Sequence, residues 1–148
     1  MEVKPIQGKL MNLHDLFAIP LLRTPQKQAL CCLDLPTDQQ STTYAALFEA
    51  ADRLAAGLQQ WGLRKGDRVA FYIDSRPELV IGYLAVIRLG AIVVPINLRY
   101  RRLEIGHILG DCQPRLIITE EDHLAILAEA RGTLTNDREI GAKDSVEA

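Results

Sequence analysis

Cysteine is scarce in these 148 residues: Cys31, Cys32 and Cys112 are the only three. They show no C-x-x-C and no Cys/His ligand spacing, which leaves a disulfide framework and a zinc site without support. Cys31 and Cys32 are adjacent in an expected strand, where successive side chains point to opposite faces. All three are expected to be small, reduced core residues. An excess of charge of one sign is also lacking. Seventeen Lys and Arg against nineteen Asp and Glu leave a formal net charge of −2, so no global field recruits nucleic acid or an anionic membrane. Met1 to Leu10 lacks the apolar core of a secretory signal, and the chain is expected to be cytoplasmic.

A membrane-spanning run is missing too, although "PELVIGYLAVIRLGAIVVPIN", Pro77 to Asn97, comes near one. From Leu79 to Leu98 the only charge is Arg88, yet a charge at the centre of a spanning helix costs about 2.5 to 3.5 kcal/mol. Gly90 and Pro95 interrupt the run as well. The stretch therefore reads as two buried elements. Pro77 to Leu89 is expected as a helix, capped by Ser75 with Glu78 completing a capping box, and with Gly90 at its left-handed C-terminus. Ala91 to Pro95 is expected as a strand rich in β-branched residues. The helix is apolar nearly all round and should be covered on more than one side.

The length fits one domain, able to bury roughly 68 to 70% of its unfolded surface. Asn12 can cap a first helix with Asp15 in its first turn, and Pro20 should end or kink it. Gln28 to Asp34 and Ser41 to Thr43 read as strands of a short hairpin around "LPTDQQ". From Tyr44 to Trp61, Leu47, Ala51, Leu54, Leu58 and Trp61 recur at alternating intervals of four and three, with Thr43 as cap and Gly62 as stop. After the turn Lys65 to Asp67, Val69 to Ile73 is expected as a strand. A helix from Arg102 to Cys112 follows, with Ile105, Ile108, Leu109 and Cys112 on one face, and then the strand Leu116 to Thr119. A last helix, Glu120 to Arg131, should bury Leu124, Leu127 and Ala128 and stop at Gly132.

Alternating strands and helices predict an α/β fold with a mostly parallel sheet and right-handed crossovers, preceded by the N-terminal helix and hairpin. Residues 1–132 form its α/β region; 133–148 have few large apolar residues and no period, and are expected to be a disordered tail.

Ligands of open parallel sheets bind outside the carboxyl ends of the strands, here Asp74 and Ser75, Ile96 and Asn97, and Thr119 and Glu120. None announces a reaction. "IDSRPE" has no glycine to bring a phosphate against backbone N–H groups, so neither a dinucleotide fingerprint nor a P-loop is present. Asp74 and Ser75 could be ligand groups, but capping explains Ser75 by itself. His107 and Asp111, four apart on one helix, read as a surface pair, since no serine sits in a G-x-S-x-G elbow. His14 and His123 are isolated and have no assignment. "RYRR", Arg99 to Arg102, places positive charge where a helix start prefers anions. Either these arginines are solvated on a loop or they meet an anion or an acidic surface elsewhere on the molecule.

Taken together, "TTY" opening a helix, "GLRKGDRVAF", "LAVIRLGAIVVPIN", Arg99, Glu104 and "ILGDC" before a strand carry a resemblance. Ser41 to Thr119 resembles the N-terminal region of the adenylate-forming enzymes, the AMP-dependent acyl-CoA synthetase and ligase family, with Leu13 to Leu33 as a weaker match. The resemblance implies a partial N-terminal lobe of an enzyme that joins a carboxylate to AMP, releases pyrophosphate and passes the acyl group to coenzyme A. ATP, magnesium, coenzyme A and a carboxylic acid are implied for the full-length family; no cofactor is expected for this chain alone. The family's phosphate loop, adenosine-binding residues and catalytic lysine come later in the chain and are not in this sequence.

No catalytic, cofactor-binding or metal-binding residue is therefore carried over. Departures from the family pattern are Ala46 for an acidic residue, Arg101 for a Ser or Thr cap, Pro20 inside the first helix, and a tail without the next apolar strand. The expected protein is an inactive opening segment that works with the remainder of the ligase as its partner. The alternative is a non-catalytic free-standing fragment or interaction module. Either should expose apolar surface and could self-associate.

Overall fold

A computed structural model describes residues 13–33, 36 and 40–132. Asn12, Asp34 and the tail from Thr133 lie outside them, so the expected cap, strand end and disordered tail do too. The described residues form two compact units, one lying within residues 1–67 and 74–93, the other within 68–73 and 94–148.

The first unit opens with two short helices, α1 (Leu13–Phe17) and α2 (Ile19–Arg23). Pro20 sits in the first turn of α2, where its missing N–H costs no intrahelical bond, so the break falls just before it. β1 (Gln28–Cys31) runs antiparallel to β2 (Ser41–Thr43), with Leu30 opposite Thr42 and Cys31 opposite Ser41. The hairpin is as expected, but β1 stops at Cys31 because its partner offers only three residues. β1 pairs on one side only, and Cys31 is exposed and Cys32 half-buried. Cys112 is also half-buried, so the cysteines are free thiols but none is a core residue.

α3 (Tyr44–Trp61) has the expected bounds. Thr43 is extended (φ −77°, ψ 163°) and its hydroxyl accepts from Ala46 N–H at 3.2 Å, while Gly62 closes the helix at φ 104°. The buried face is Leu47, Phe48, Ala51, Ala55 and Leu58; Leu54 is half-buried and Trp61 is 40% exposed. The difference has a geometric cause. A strict seven-residue repeat drifts by about 20° per heptad around a straight helix, so a seam begun at Leu47 leaves the core by Trp61.

α4 (Pro77–Arg88) starts from Arg76, not from Ser75. The residue before a proline is pushed out of the helical region, and Arg76 is extended (φ −142°, ψ 167°). It therefore has to be the cap, and the Ser75–Glu78 capping box cannot form. Glu78 instead pairs with Arg76 at 3.2 Å. Gly90 is left-handed (φ 68°) as expected, and an added Cβ would meet Lys65 Cγ at 3.0 Å. Leu47, Phe48, Ala51 and Leu84 form this unit's core, flanked by Leu21, Leu30, Val80 and Ile81.

The second unit holds β3 (Arg68–Tyr72) and β5 (Leu116–Thr119), paired in parallel from Val69 opposite Leu116 to Tyr72 opposite Thr119. β4 (Ile92–Pro95) lies on the other side of β3, giving the order β4-β3-β5. Its N–H groups show the direction: Ile92 donates to Asp67 O at 2.7 Å and Ile96 to Phe71 O at 2.8 Å. Both strands advance together, so the sheet is parallel. Val69 to Tyr72 are all buried, as a central parallel strand requires.

α5 (Arg102–Cys112) has the expected bounds and buries Ile105, Gly106 and Leu109. The last helix does not start at Glu120. A 3₁₀ turn, Glu121–His123, precedes α6 (Leu124–Arg131). At about 3.0 residues per turn it resets the helical phase: Leu127 and Ala130 are buried, while Leu124 is 54% exposed and Ala128 exposed. Gly132 ends α6 at φ −61° instead of in a left-handed cap. The core of this unit is Ala70, Tyr72, Ile96, Ile105, Leu109, Leu127 and Ala130. Among the described residues no helix is long and apolar enough to cross a membrane.

Candidate functional site

The carboxyl end of the β3–β5 pair is where a parallel sheet offers ligand groups. Tyr72, the last residue of β3, is 1% exposed. Its hydroxyl lies 3.3 Å from both Leu98 O and Tyr100 O, sharing one proton between them. That fastens the segment after β4 to the end of β3. Asn97 Oδ1 accepts from Arg99 N–H at 2.9 Å, and Asn97 O from Tyr100 N–H at 2.9 Å, so the segment turns on an asparagine, as such residues favour. Thr119 Oγ1 donates to Tyr72 O at 2.7 Å, closing the last rung of the ladder.

His123 packs on Tyr72 with ring centroids 4.9 Å apart, tilted by 52°. Its backbone N–H donates to Glu120 O at 3.0 Å. Its Nδ1 is shut off from solvent without a hydrogen bond and lies 3.9 Å from Glu120 Oε2, too far for one. Neither Tyr72 nor His123 was assigned a role by the sequence, because their neighbours in space are far away along the chain.

The helix that follows is held at both ends. Arg101 is its cap and cannot accept, as expected for a departure from Ser or Thr, but the start is not left unsupported. Glu104 Oε2 accepts from Arg101 N–H at 3.0 Å, the returning half of a capping box. Glu104's own N–H, then that of Arg101, hold its carboxyl below the usual carboxylate range, with the Arg101 charge adding less. The Arg101 guanidinium donates to Leu98 O at 3.2 Å and Tyr100 O at 3.4 Å. Arg99 and Arg102 are exposed, and among the described residues no acidic side chain pairs with them.

At the other end of α5, the Arg68 guanidinium donates to Cys112 O at 2.7 Å and Gln113 O at 3.0 Å, where Gln113 turns left-handed (φ 44°). A cation there complements the helix dipole. Burial pushes the Cys112 thiol up, against smaller opposing effects of its own N–H and of Arg68.

The hydrogen bonds of Tyr72, Thr119 and Arg101 at this end go to backbone carbonyls. The segments 73–76, 96–101 and 120–123 contain no glycine, the residue that lets backbone approach a phosphate most closely. His107 and Asp111, 3.4 Å apart, are 79% and 73% exposed and form the expected surface pair. Asp74 and Ser75 are exposed residues of the first unit, and Ser75 is no cap.

Comparison with known proteins places the fold. The family model described as AMP-binding enzyme matches residues 19–147. A 3-hydroxybenzoate/4-hydroxybenzoate CoA ligase of Thauera aromatica is 32% identical over 102 residues, covering 69% of this chain and 20% of the ligase. Tyrocidine synthase 3 of Brevibacillus parabrevis is 31% identical over 132 residues, 89% of this chain but 2% of the synthase. Among solved structures, the N-terminal domain of FACL13 from Mycobacterium tuberculosis superposes with a TM-score of 0.73 at 28% identity, covering 83% of this chain and 30% of that one. The chain thus spans a fifth or less of the length of these two curated relatives.

Proposed function

Because the chain belongs to the AMP-binding enzyme family, we propose that it supplies the opening framework of an adenylate-forming acyl-CoA ligase and is catalytically silent by itself. In the whole enzyme a carboxylate oxygen attacks the α-phosphorus of ATP and pyrophosphate leaves. The thiol sulfur of coenzyme A then attacks the acyl carbon and AMP leaves. The single observation behind the assignment of role is the carboxyl end of the β3–β5 pair, where Tyr72, Thr119 and Arg101 use their hydrogen bonds on backbone carbonyls.

The working partner is the remainder of the ligase, on the same polypeptide or supplied separately; magnesium, a fatty or aromatic acid substrate and a cytoplasmic location belong to the same reading. Exposed Leu13, Leu16, Phe17 and Leu22 of α1 and α2 support self-association of the chain when isolated. The likeness to tyrocidine synthase 3 favours a second reading in which the same framework opens a peptide-synthase adenylation unit. ATP–pyrophosphate exchange with a panel of carboxylic and amino acids tests the proposal. No exchange is expected from this chain alone; turnover by it would overturn the claim of silence.

A further inference from the structure

Two chain segments flank Tyr72 in the second unit. Its hydroxyl holds the segment that leads into α5, 3.3 Å from Leu98 O and Tyr100 O, and its ring packs on His123, just before α6. The starts of α5 and α6 therefore lie at one end of the unit, and the two helices share a core through Ile105, Leu109 and Leu127. Arg99, Arg102 and Leu103 stand at the first start, and Glu121, Asp122 and Leu124 at the second. All six are exposed, Leu103 to 68% and Leu124 to 54%. Among the described residues, neither arginine pairs with an acid and neither of these acids with a base.

Glu121 and Asp122 suit the start of a helix, whose dipole favours anions there. Arg102, the first residue of α5, opposes it. No acid among the described residues compensates Arg102, so a matching acidic surface has to come from another molecule. A polyanion or an anionic membrane that met the arginines would also meet Glu121 and Asp122 and be repelled; a basic partner would face the reverse conflict. A second copy of the chain fits both patches, because it carries the same two. We propose that this end of the second unit pairs two copies about a two-fold axis, with the α5 start of each facing the α6 start of the other. Arg99 and Arg102 then lie across from Glu121 and Asp122, and Leu103 across from Leu124, each contact made twice. The leucines supply apolar burial and the charges set the register. A net charge of −2 opposes the approach of two copies only weakly.

Sedimentation equilibrium of the full chain tests this. The wild type should form dimers, and their association should weaken as sodium chloride is raised, because exposed charges are screened. The double variants Arg99→Glu with Arg102→Glu, and Glu121→Lys with Asp122→Lys, should each self-associate at least about tenfold more weakly, since every cross-pair becomes a like-charge contact. An equimolar mixture of the two should regain dimers, as an acidic copy meets a basic one. A wild type that stays monomeric at about 1 mM would overturn the pairing. So would association that salt leaves unchanged or strengthens, as apolar contacts through α1 and α2 would show, unchanged association of either variant, or a mixture no more dimeric than its components. If either variant fails to fold, the salt dependence of the wild type and weaker association of Leu103→Ser decide, and both are required.

Discussion

Replacing Arg68 by Met should destabilise the second unit by about 2 kcal/mol. The guanidinium donates to Cys112 O at 2.7 Å and to Gln113 O at 3.0 Å, at the C-terminus of α5. Hydrogen bonds to charged groups contribute roughly 1.5 to 3 kcal/mol, and a cation at a helix C-terminus adds about 0.3 to 1 kcal/mol. Arg68 is only partly buried, so solvent screening brings the sum below that range, to about 2 kcal/mol. Methionine retains much of the aliphatic stem and removes only the donors and the charge. Since 1.4 kcal/mol is tenfold, the Ala70 and Phe71 amides in the centre of β3 should exchange about thirtyfold faster when their exchange reports opening of the whole unit. Arg68→Lys, a point charge able to reach one carbonyl, should fall between the two. A change under threefold in Arg68→Met would refute the claim that this side chain holds the end of α5.

Tyr72→Phe should cost about 1 kcal/mol, because the hydroxyl shared by Leu98 O and Tyr100 O is lost; denaturant midpoints would measure it, and the Tyr100 and Arg101 amides should show the loss most. Glu104 has its carboxyl held below the usual carboxylate range by its own N–H and that of Arg101, so its contribution is present above the unfolded carboxylate pKa and disappears as pH falls through the folded one. Glu104→Ala should accordingly remove part of the acid limb of the stability–pH curve and leave its alkaline limb unchanged. Cys112, whose thiol is pushed up by burial, should react with a thiol reagent at pH 8 more slowly than exposed Cys31. Mass spectrometry of the labelled chain would show the order, and faster labelling of Cys112 would contradict it.

Local signals in the chain are a good guide wherever local physics decides. α3 has a threonine cap, a glycine stop and an apolar stripe, and its bounds come out as expected; β5, all apolar up to Thr119, does as well. Where two local rules compete, the stiffer one prevails. Ser75 has the chemistry of a cap, but Pro77 fixes Arg76 in an extended conformation and takes the cap from it. Leu124 has the right spacing for the core, but the 3₁₀ turn before it changes the phase. Long-range roles left no trace in the sequence. Arg68 meets Cys112, Tyr72 meets Leu98, and His14 meets Arg88, and nothing near any of these residues marks its partner. The carboxyl end of the β3–β5 pair was legible as a place, from the alternation of strands and helices, but its wiring was not.

The account rests on the claim that these residues form a framework with no nucleotide site of their own. Calorimetric titration of the purified chain with ATP, and then with a non-hydrolysable acyl-AMP analogue, tests it most directly. Heats no larger than dilution are predicted for both. Saturable uptake of either at one site per chain would contradict it.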